Sequence, residues 1–330
     1  MKYIIDLDKL KYGDIILTRS NDRTCLKIRE YANSNYSHSL IYKGNISCLE
    51  SNALGVQSVN PQRLIFGNQD DVIVMRIKSS KELQFLEAGL AKAAVKVGMS
   101  YASRQELMKS YLNILEKANE KKRQFCTRFV AQVYADSGIN IVPNHDYCSP
   151  ADIENSLSLT KITNMLKEGS VVEIELALEK ETLIESQTDS TFIFLEGVRK
   201  LTGLDIQTFD DVDNFLLGNP GNDSEINSLI NKSEYFQLGD LEKEKNILMY
   251  NPDTFLDNYG IEKCIKTSTA EIKNELVRAY NFKMAIEKYK KLFDETQLEY
   301  FASHMRCYER QLELSQERYS VFEIILSWIE

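Results

Sequence analysis

The stretch Gln124-Phe125-Cys126-Thr127-Arg128-Phe129-Val130 decides the reading of this 330-residue chain. After Cys126 the apolar residues Phe129, Val130, Val133 and Tyr134 recur at helical spacing, and Gly138 stops the run. The spacing predicts Cys126 in the first turn of an amphipathic helix. Unpaired N–H groups and the positive end of the helix dipole gather there, and both favour thiolate over thiol. Lys121, Lys122 and Arg123 push the same way if they lie near in space. The competing reading is a buried structural cysteine, because free cysteines are among the most buried residue types. Cys25, Cys48, Cys148, Cys264 and Cys307 lack this context.

Far upstream, Tyr36-Ser37-His38-Ser39-Leu40-Ile41-Tyr42 alternates as a strand does, with His38, Leu40 and Tyr42 on one face. Lys43-Gly44-Asn45 reads as a three-residue hairpin loop, followed by a second strand with Ile46, Cys48 and Glu50 on one face. That loop length sets His38 directly across from Glu50, with Cβ atoms roughly 5 Å apart. A carboxylate there can hold one ring nitrogen and leave the other for a thiol. A one-residue slip would put the two on opposite faces, and an ordinary edge hairpin with a solvated Glu–His pair is the plainer alternative. Cys126, His38 and Glu50 together are a nucleophile, a base and a group to orient the base, which is what a cysteine hydrolase needs.

Read in the order 98–143 and then 10–59, the chain resembles the NlpC-type cell-wall peptidases, which are papain-like cysteine hydrolases. Gly98-Met99-Ser100-Tyr101 precedes Phe125-Cys126, and the Cys126 helix runs on to Gly138 and Pro143. Leu10-Lys11-Tyr12-Gly13-Asp14-Ile15-Ile16 matches the family's Gly-Asp strand, His38 to Tyr42 its His strand, and Glu50 its third polar residue. Gly55-Val56 fits the strand after it. The order is circularly permuted, with His first and Cys last, which resembles the YiiX-like branch related to lecithin retinol acyltransferase-type enzymes. Permutation moves only the chain ends. Ser149-Pro150-Ala151-Asp152-Ile153 looks like the same branch.

The resemblance implies an α+β fold: a permuted papain-like domain at 1–168, with an antiparallel sheet packed on the Cys-bearing helix. It implies a Cys126–His38–Glu50 triad, no cofactor, and Tyr101, Gln124 and Thr127 as residues of the substrate or oxyanion pocket. Two departures stand out. The stretch between Tyr101 and Cys126 is longer than the family's minimal pattern and reads as an inserted or extended helix at 106–122. The family often has Ser after the cysteine, where Thr127 stands here.

Residues 169–330 read as an acidic, mostly helical domain of unknown role. Residues 170–178 alternate and predict a strand. Residues 218–223 form a loop. Residues 268–292 read as a helix opened by a Ser268-Thr269-Ala270-Glu271 capping box. Leu298, Phe301, Met305, Tyr308 and Leu312 form a heptad stripe, too short for a coiled coil and suited to helix packing within the domain. His304, beside that stripe, reads as a surface or boundary histidine, and His145 as a satisfied loop histidine near Cys148.

Composition narrows the function. With three histidines, no Cys-x-x-Cys and no His-x-x-x-His, no zinc pattern is present. There is no Gly-x-x-x-x-Gly-Lys loop for phosphates. Met1-Lys2-Tyr3-Ile4-Ile5-Asp6 lacks a signal-peptide core, and no segment reaches the ~18–20 apolar residues of a membrane span. The cysteine spacing suggests no disulfide framework, so the default compartment is the cytoplasm, although an effector exported without a signal would look the same. Residues 1–165 carry a net +5 and residues 166–330 a net −14, which together give −9. No basic stripe with interleaved aromatics points to nucleic acid. The expected partners are a peptide-like or acyl substrate for the first half and a protein for the acidic half. Three functions stay open: an amide or peptide hydrolase; an acyltransferase, thioesterase or lipid deacylase using the same triad; and a non-catalytic binding module with a helical interaction domain.

Overall fold

The computed structural model describes residues 1–112, 116–179 and 182–329. The chain is an α+β protein, with antiparallel sheets first and a helical C-terminal part. It forms two compact units, Met1–Ile184 with Gln207–Asp210, and Glu185–Ile206 with Asp211–Glu330.

The first unit opens with β1 (Tyr3–Ile5), β2 (Ile15–Thr18), α1 (Arg23–Ala32), β3 (His38–Tyr42), β4 (Cys48–Asn52), β5 (Gly55–Val59), β6 (Ile65–Phe66) and β7 (Val72–Ile77). It continues with α2 (Ser80–Leu83), α3 (Leu86–Ala94), α4 (Arg104–Lys109), α5 (Cys126–Asp136), α6 (Pro150–Glu154), β8 (Leu159–Ile162), β9 (Leu166–Glu168) and α7 (Val171–Leu178). Among the described residues, strands pair in the order β5-β4-β3-β2-β7-β8, and β6-β1-β9 make a smaller sheet.

Both faces of the central strands are covered, which is why residues 15–17 and 72–75 are unbroken apolar runs. On one face Ile15, Leu17, Ile41, Leu49 and Met75 share a core with Phe129, Val130, Val133 and Tyr134 of α5. On the other, Ile16, Leu40, Cys48 and Val74 share one with Ile5, Leu10, Phe66 and Leu166. Helix α3 crosses α5 at Gly89, where an added Cβ would stand 2.0 Å from the Val133 carbonyl oxygen. The predicted helix after Cys126 is there, and Gly138 follows it with φ +78°, a left-handed turn that glycine accepts.

Two expectations for this unit fail. Residues 170–178 are not a strand, because Val171–Leu178 form α7. The Ser170 hydroxyl accepts from the Glu173 N–H, and the Glu173 carboxylate accepts from the Ser170 N–H and hydroxyl. That reciprocal box fixes the first turn, and so short an apolar run does not reveal its period unaided. Residues 106–122 are not one helix either, since α4 ends at Lys109; residues 113–115 of that expectation lie outside the described residues. The buried Glu106 carboxylate accepts from the N–H groups of Asn119 (3.0 Å) and Glu120 (3.2 Å), so the chain turns back on itself to reach it.

The second unit takes in α8 (Leu183–Thr202), α9 (Phe209–Gly218), α10 (Asp223–Lys232), α11 (Leu238–Lys245), α12 (Pro252–Asn258), α13 (Ile261–Thr296) and α14 (Glu299–Ile329), apart from the first residues of α8 and α9. Helix α13 starts much earlier than residue 268, with Gly260 as N-cap, so Ser268 is buried in mid-helix and caps nothing. Phe301 and Tyr308 of the heptad stripe pack on Tyr289 of α13, with ring centroids 6.3 and 5.7 Å away. His304 is not a surface residue. It lies three residues after Phe301 and four before Tyr308, hence on the same face, and it is 1% exposed, stacked on Tyr289 at 4.6 Å. Burial, with the Lys288 charge, pulls its imidazole down to about 3.

Candidate active site

The hairpin of β3 and β4 carries the histidine and the carboxylate. Its loop is longer than predicted. Lys43 N–H donates to the Ser47 carbonyl (2.9 Å), and Gly44, Asn45 and Ile46 all have positive φ (87°, 49° and 53°). The register therefore pairs Leu40 with Glu50 and Tyr42 with Cys48. His38 is not directly opposite Glu50, as the three-residue loop would have it, but one diagonal step away. A two-residue slip keeps both side chains on one face, and His38 Nε2 meets Glu50 Oε2 at 2.6 Å.

Glu50 is 7% exposed and fully bonded: its Oε1 accepts from Asn52 Nδ2 and Gln57 Nε2, both at 2.8 Å. Burial pushes the carboxyl up, but His38 and the two amides outweigh it, and the net direction is down. Asn52 and Gln57 were missed by the sequence reading. Gln57 is the direct cross-strand partner of Glu50 on β5, which a register for the β4–β5 turn would have exposed.

Cys126 is the first residue of α5, 5% exposed, and makes no disulfide. No side chain caps this helix at Phe125, which leaves first-turn N–H groups for another acceptor. Burial raises the thiol, but the hydrogen bond and charge of His38, joined by Ser39, prevail and lower it. For His38 burial lowers the imidazole, and the thiol and Glu50 carry it well above its ordinary value. With Nε2 turned to Glu50, the other ring nitrogen is the one left for sulfur.

Tyr101 also lies within the field of Cys126. Burial first, then the Cys126 charge, raise its phenol, and they raise that of Tyr111 in the same order. Tyr111 in turn stacks on Tyr31 of α1, with centroids 6.2 Å apart. Neither Tyr31 nor Tyr111 was foreseen, because nothing local in the sequence brings residues 31, 111 and 126 together.

Gln124 and Thr127 are engaged internally. Gln124 Nε2 donates to Gln132 Oε1 (3.0 Å), and Thr127 Oγ1 donates to the Cys148 carbonyl (2.6 Å). Arg128, 0% exposed, seats the same turn: it donates to Glu106 Oε1 (2.8 Å) and the Asp146 carbonyl (2.7 Å), and lies over the Phe125 ring at 4.4 Å. Tyr147 Oη also donates to Glu106 Oε1, at 2.7 Å. Burial opposes ionisation of Glu106, but Tyr147 and Arg128 bring it down to about 2. His145 is half-exposed in its loop, 3.8 Å from Asp146. Among the described residues no three His, Cys, Asp or Glu side chains gather as metal ligands, and no helix is long and apolar enough to cross a membrane.

A thiol, an imidazole and a carboxylate in series on an antiparallel α+β unit define the site. No protein-family model matches the chain. No curated protein matches it either. Among solved structures it is similar to the metalloprotein YiiX from Escherichia coli O157:H7, at 18% identity and a TM-score of 0.34, over 48% of this chain and 98% of that one.

Proposed function

We propose that this chain is a papain-like cysteine hydrolase that cleaves an amide or peptide bond, with catalysis in residues 1–168. The observation that carries the reading is the His38–Glu50 pair at 2.6 Å, with the Cys126 thiol interacting with the same imidazole at a helix start. The thiolate attacks the carbonyl carbon, and the Cys126 N–H donates to the oxyanion. His38, protonated, gives its proton to the leaving amine as the C–N bond breaks, and a thioester remains. Water then attacks the thioester as His38 takes one of its protons, and the C–S bond breaks, which releases the acid and leaves the thiolate–imidazolium pair. Glu50 holds the ring and stabilises its charge. Tyr101 walls the pocket, while Gln124 and Thr127 support the turn beneath the nucleophile. Residues 169–330 would serve a protein partner.

The test is the alkylation rate of each cysteine against pH, read by peptide mass spectrometry, in wild type and His38→Ala. Cys126 alone reacts fast below about pH 7, under the ordinary thiol value of ~8.5, and slows in the variant. A Cys126 no faster than Cys307 would sink the catalytic reading and leave a binding module.

One observation favours acyl chemistry as a second reading. Tyr31 and Leu112 are 52% and 67% exposed; Tyr31 is part of the Tyr31–Tyr111 stack beside the site, and Leu112 follows Tyr111 in the chain. Such a rim suits an acyl chain. Turnover of p-nitrophenyl esters that rises with chain length, with no cleavage of peptide amides, selects an acyltransferase, thioesterase or lipid deacylase.

A further inference from the structure

The inner face of the six-stranded sheet changes character along its length. Under the body of α5 it is apolar, with Ile15, Ile41 and Leu49 against Phe129 and Val133. The direction of α5 over the sheet is fixed at its far end, where Tyr134 Oη donates to the Gly13 carbonyl just before β2. Cys126 therefore stands over the opposite end, beside Thr18 and His38.

One register row in that direction, Leu17 pairs with Ser39, and Ser51 pairs with Val56. Because Leu40 faces Glu50, Ser39 faces Ser51. The row thus runs from leucine through two serines to valine, and Ser37 follows a step beyond. Ser37, Ser39 and Ser51 are 3%, 0% and 0% exposed, and none of the three Oγ atoms makes a hydrogen bond of regular geometry among the described residues. Buried hydroxyls without a partner are unfavourable, and alanine would fill the same space without that penalty. Hydroxyls at this spot call for an acceptor. The acceptor at hand is the Cys126 sulfur, on which both the side chain and the backbone of Ser39 bear.

We propose that Ser39, backed by Ser51 across the strand pair, is a positioning residue that donates its hydroxyl hydrogen to the Cys126 sulfur when that sulfur is a thiolate. Ser51 donates in turn to Ser39 Oγ. No proton changes owner in this chain, and His38 remains the base. A thiolate accepts such a bond well and a neutral thiol or thioester poorly. The bond therefore holds the charged ground state and loosens once the sulfur is acylated. This deepens the hydrolase reading and rests on its thiolate–imidazole pair.

The test is the pH profile of Cys126 alkylation in Ser39→Ala, Ser51→Ala and His38→Ala, each in the full chain. Ser39→Ala should shift the profile up by about one pH unit, so that on its rising limb the rate at a given pH falls roughly tenfold. Its high-pH plateau should equal or exceed that of wild type, because a less stabilised thiolate is no weaker a nucleophile. Ser51→Ala should move the profile the same way by a smaller step, and it carries the test if Ser39→Ala does not fold. A purely structural serine would change the thermal midpoint and leave the profile in place; a wild-type profile in the folded serine variants overturns the proposal. If His38→Ala flattens the profile and the serine variants do not move it, only the serine role fails. If His38→Ala also keeps the wild-type profile, the thiolate–imidazole reading falls and the serine role with it.

Discussion

With the Cys126 thiol, Glu50 favours the charged form of His38, and it also fixes the direction of the ring. One carboxylate oxygen faces Nε2, and the other is held by Asn52 and Gln57. Replacing Glu50 by Gln keeps the shape and removes the charge. The sign of the effect follows from the shifts. The His38 imidazole is raised in the folded chain, so its contribution to stability is present below about pH 6.5 and is lost as pH rises through the folded value. The Glu50 carboxyl is lowered, so its contribution is present above about pH 4.5 and is lost as pH falls through the folded value. Glu50→Gln should therefore cost most near pH 5–6.5, roughly 1–3 kcal/mol for a hydrogen bond between charged groups. The gap from wild type should narrow at both pH extremes. Urea unfolding from pH 3 to 9 checks this, and a gap independent of pH would refute the charged pair.

At the scale of elements, the first turn of α5 stays where it is because Arg128 is paired. Glu106, from α4, and the Tyr147 ring enclose the guanidinium. Glu106→Ala would leave that charge fully buried without its carboxylate, which costs about 3–5 kcal/mol. We expect a large fall in thermal midpoint and a slower Cys126 even in the chains that stay folded. Thermal melting with alkylation at pH 7 reads both, and a wild-type midpoint would show that the pair is dispensable. How legible each element was depended on how local its cause is. Helix α5 could be read because period, length and the Gly138 stop all agree. The β3–β4 pairing could be read as to face but not register, because Ile46, a β-branched residue, joins Gly44 and Asn45 in the left-handed region and lengthens the turn. The apolar run at 171–178 is too short to show its helical period, and its helix start depends on the Ser170–Glu173 box, while the same signature at Ser268 sits idle inside α13. Ser39 and Tyr111 come near Cys126, and Tyr31 stacks on Tyr111, only through tertiary packing, so no spacing in the chain announces them.

Over the whole molecule, the first unit is not one continuous run of chain. It closes with Gln207–Asp210, after the segment Glu185–Ile206 has gone to the second unit. Gln207 is 0% exposed, and its Oε1 accepts the Ser100 N–H at 2.8 Å, one residue before Tyr101. A residue that sequence alone places deep in the acidic half thus holds the segment next to Tyr101 in the basic half. A cut at 168 or 184 would take that acceptor away from Ser100. In the full chain, Gln207→Ala leaves the Ser100 N–H without its partner, at a cost of about 1–3 kcal/mol. Hydrogen exchange should quicken at residues 100–102, where the Ala102 N–H to Gln124 carbonyl bond (2.8 Å) ties the same segment to the residues before Cys126. The Cys126 alkylation profile should keep its pH dependence, because His38 and Glu50 lie on other strands. Faster exchange at 100–102 with an unchanged profile is the expected pair of results. Unchanged exchange would mean that Gln207 does not hold residues 100–102 in place.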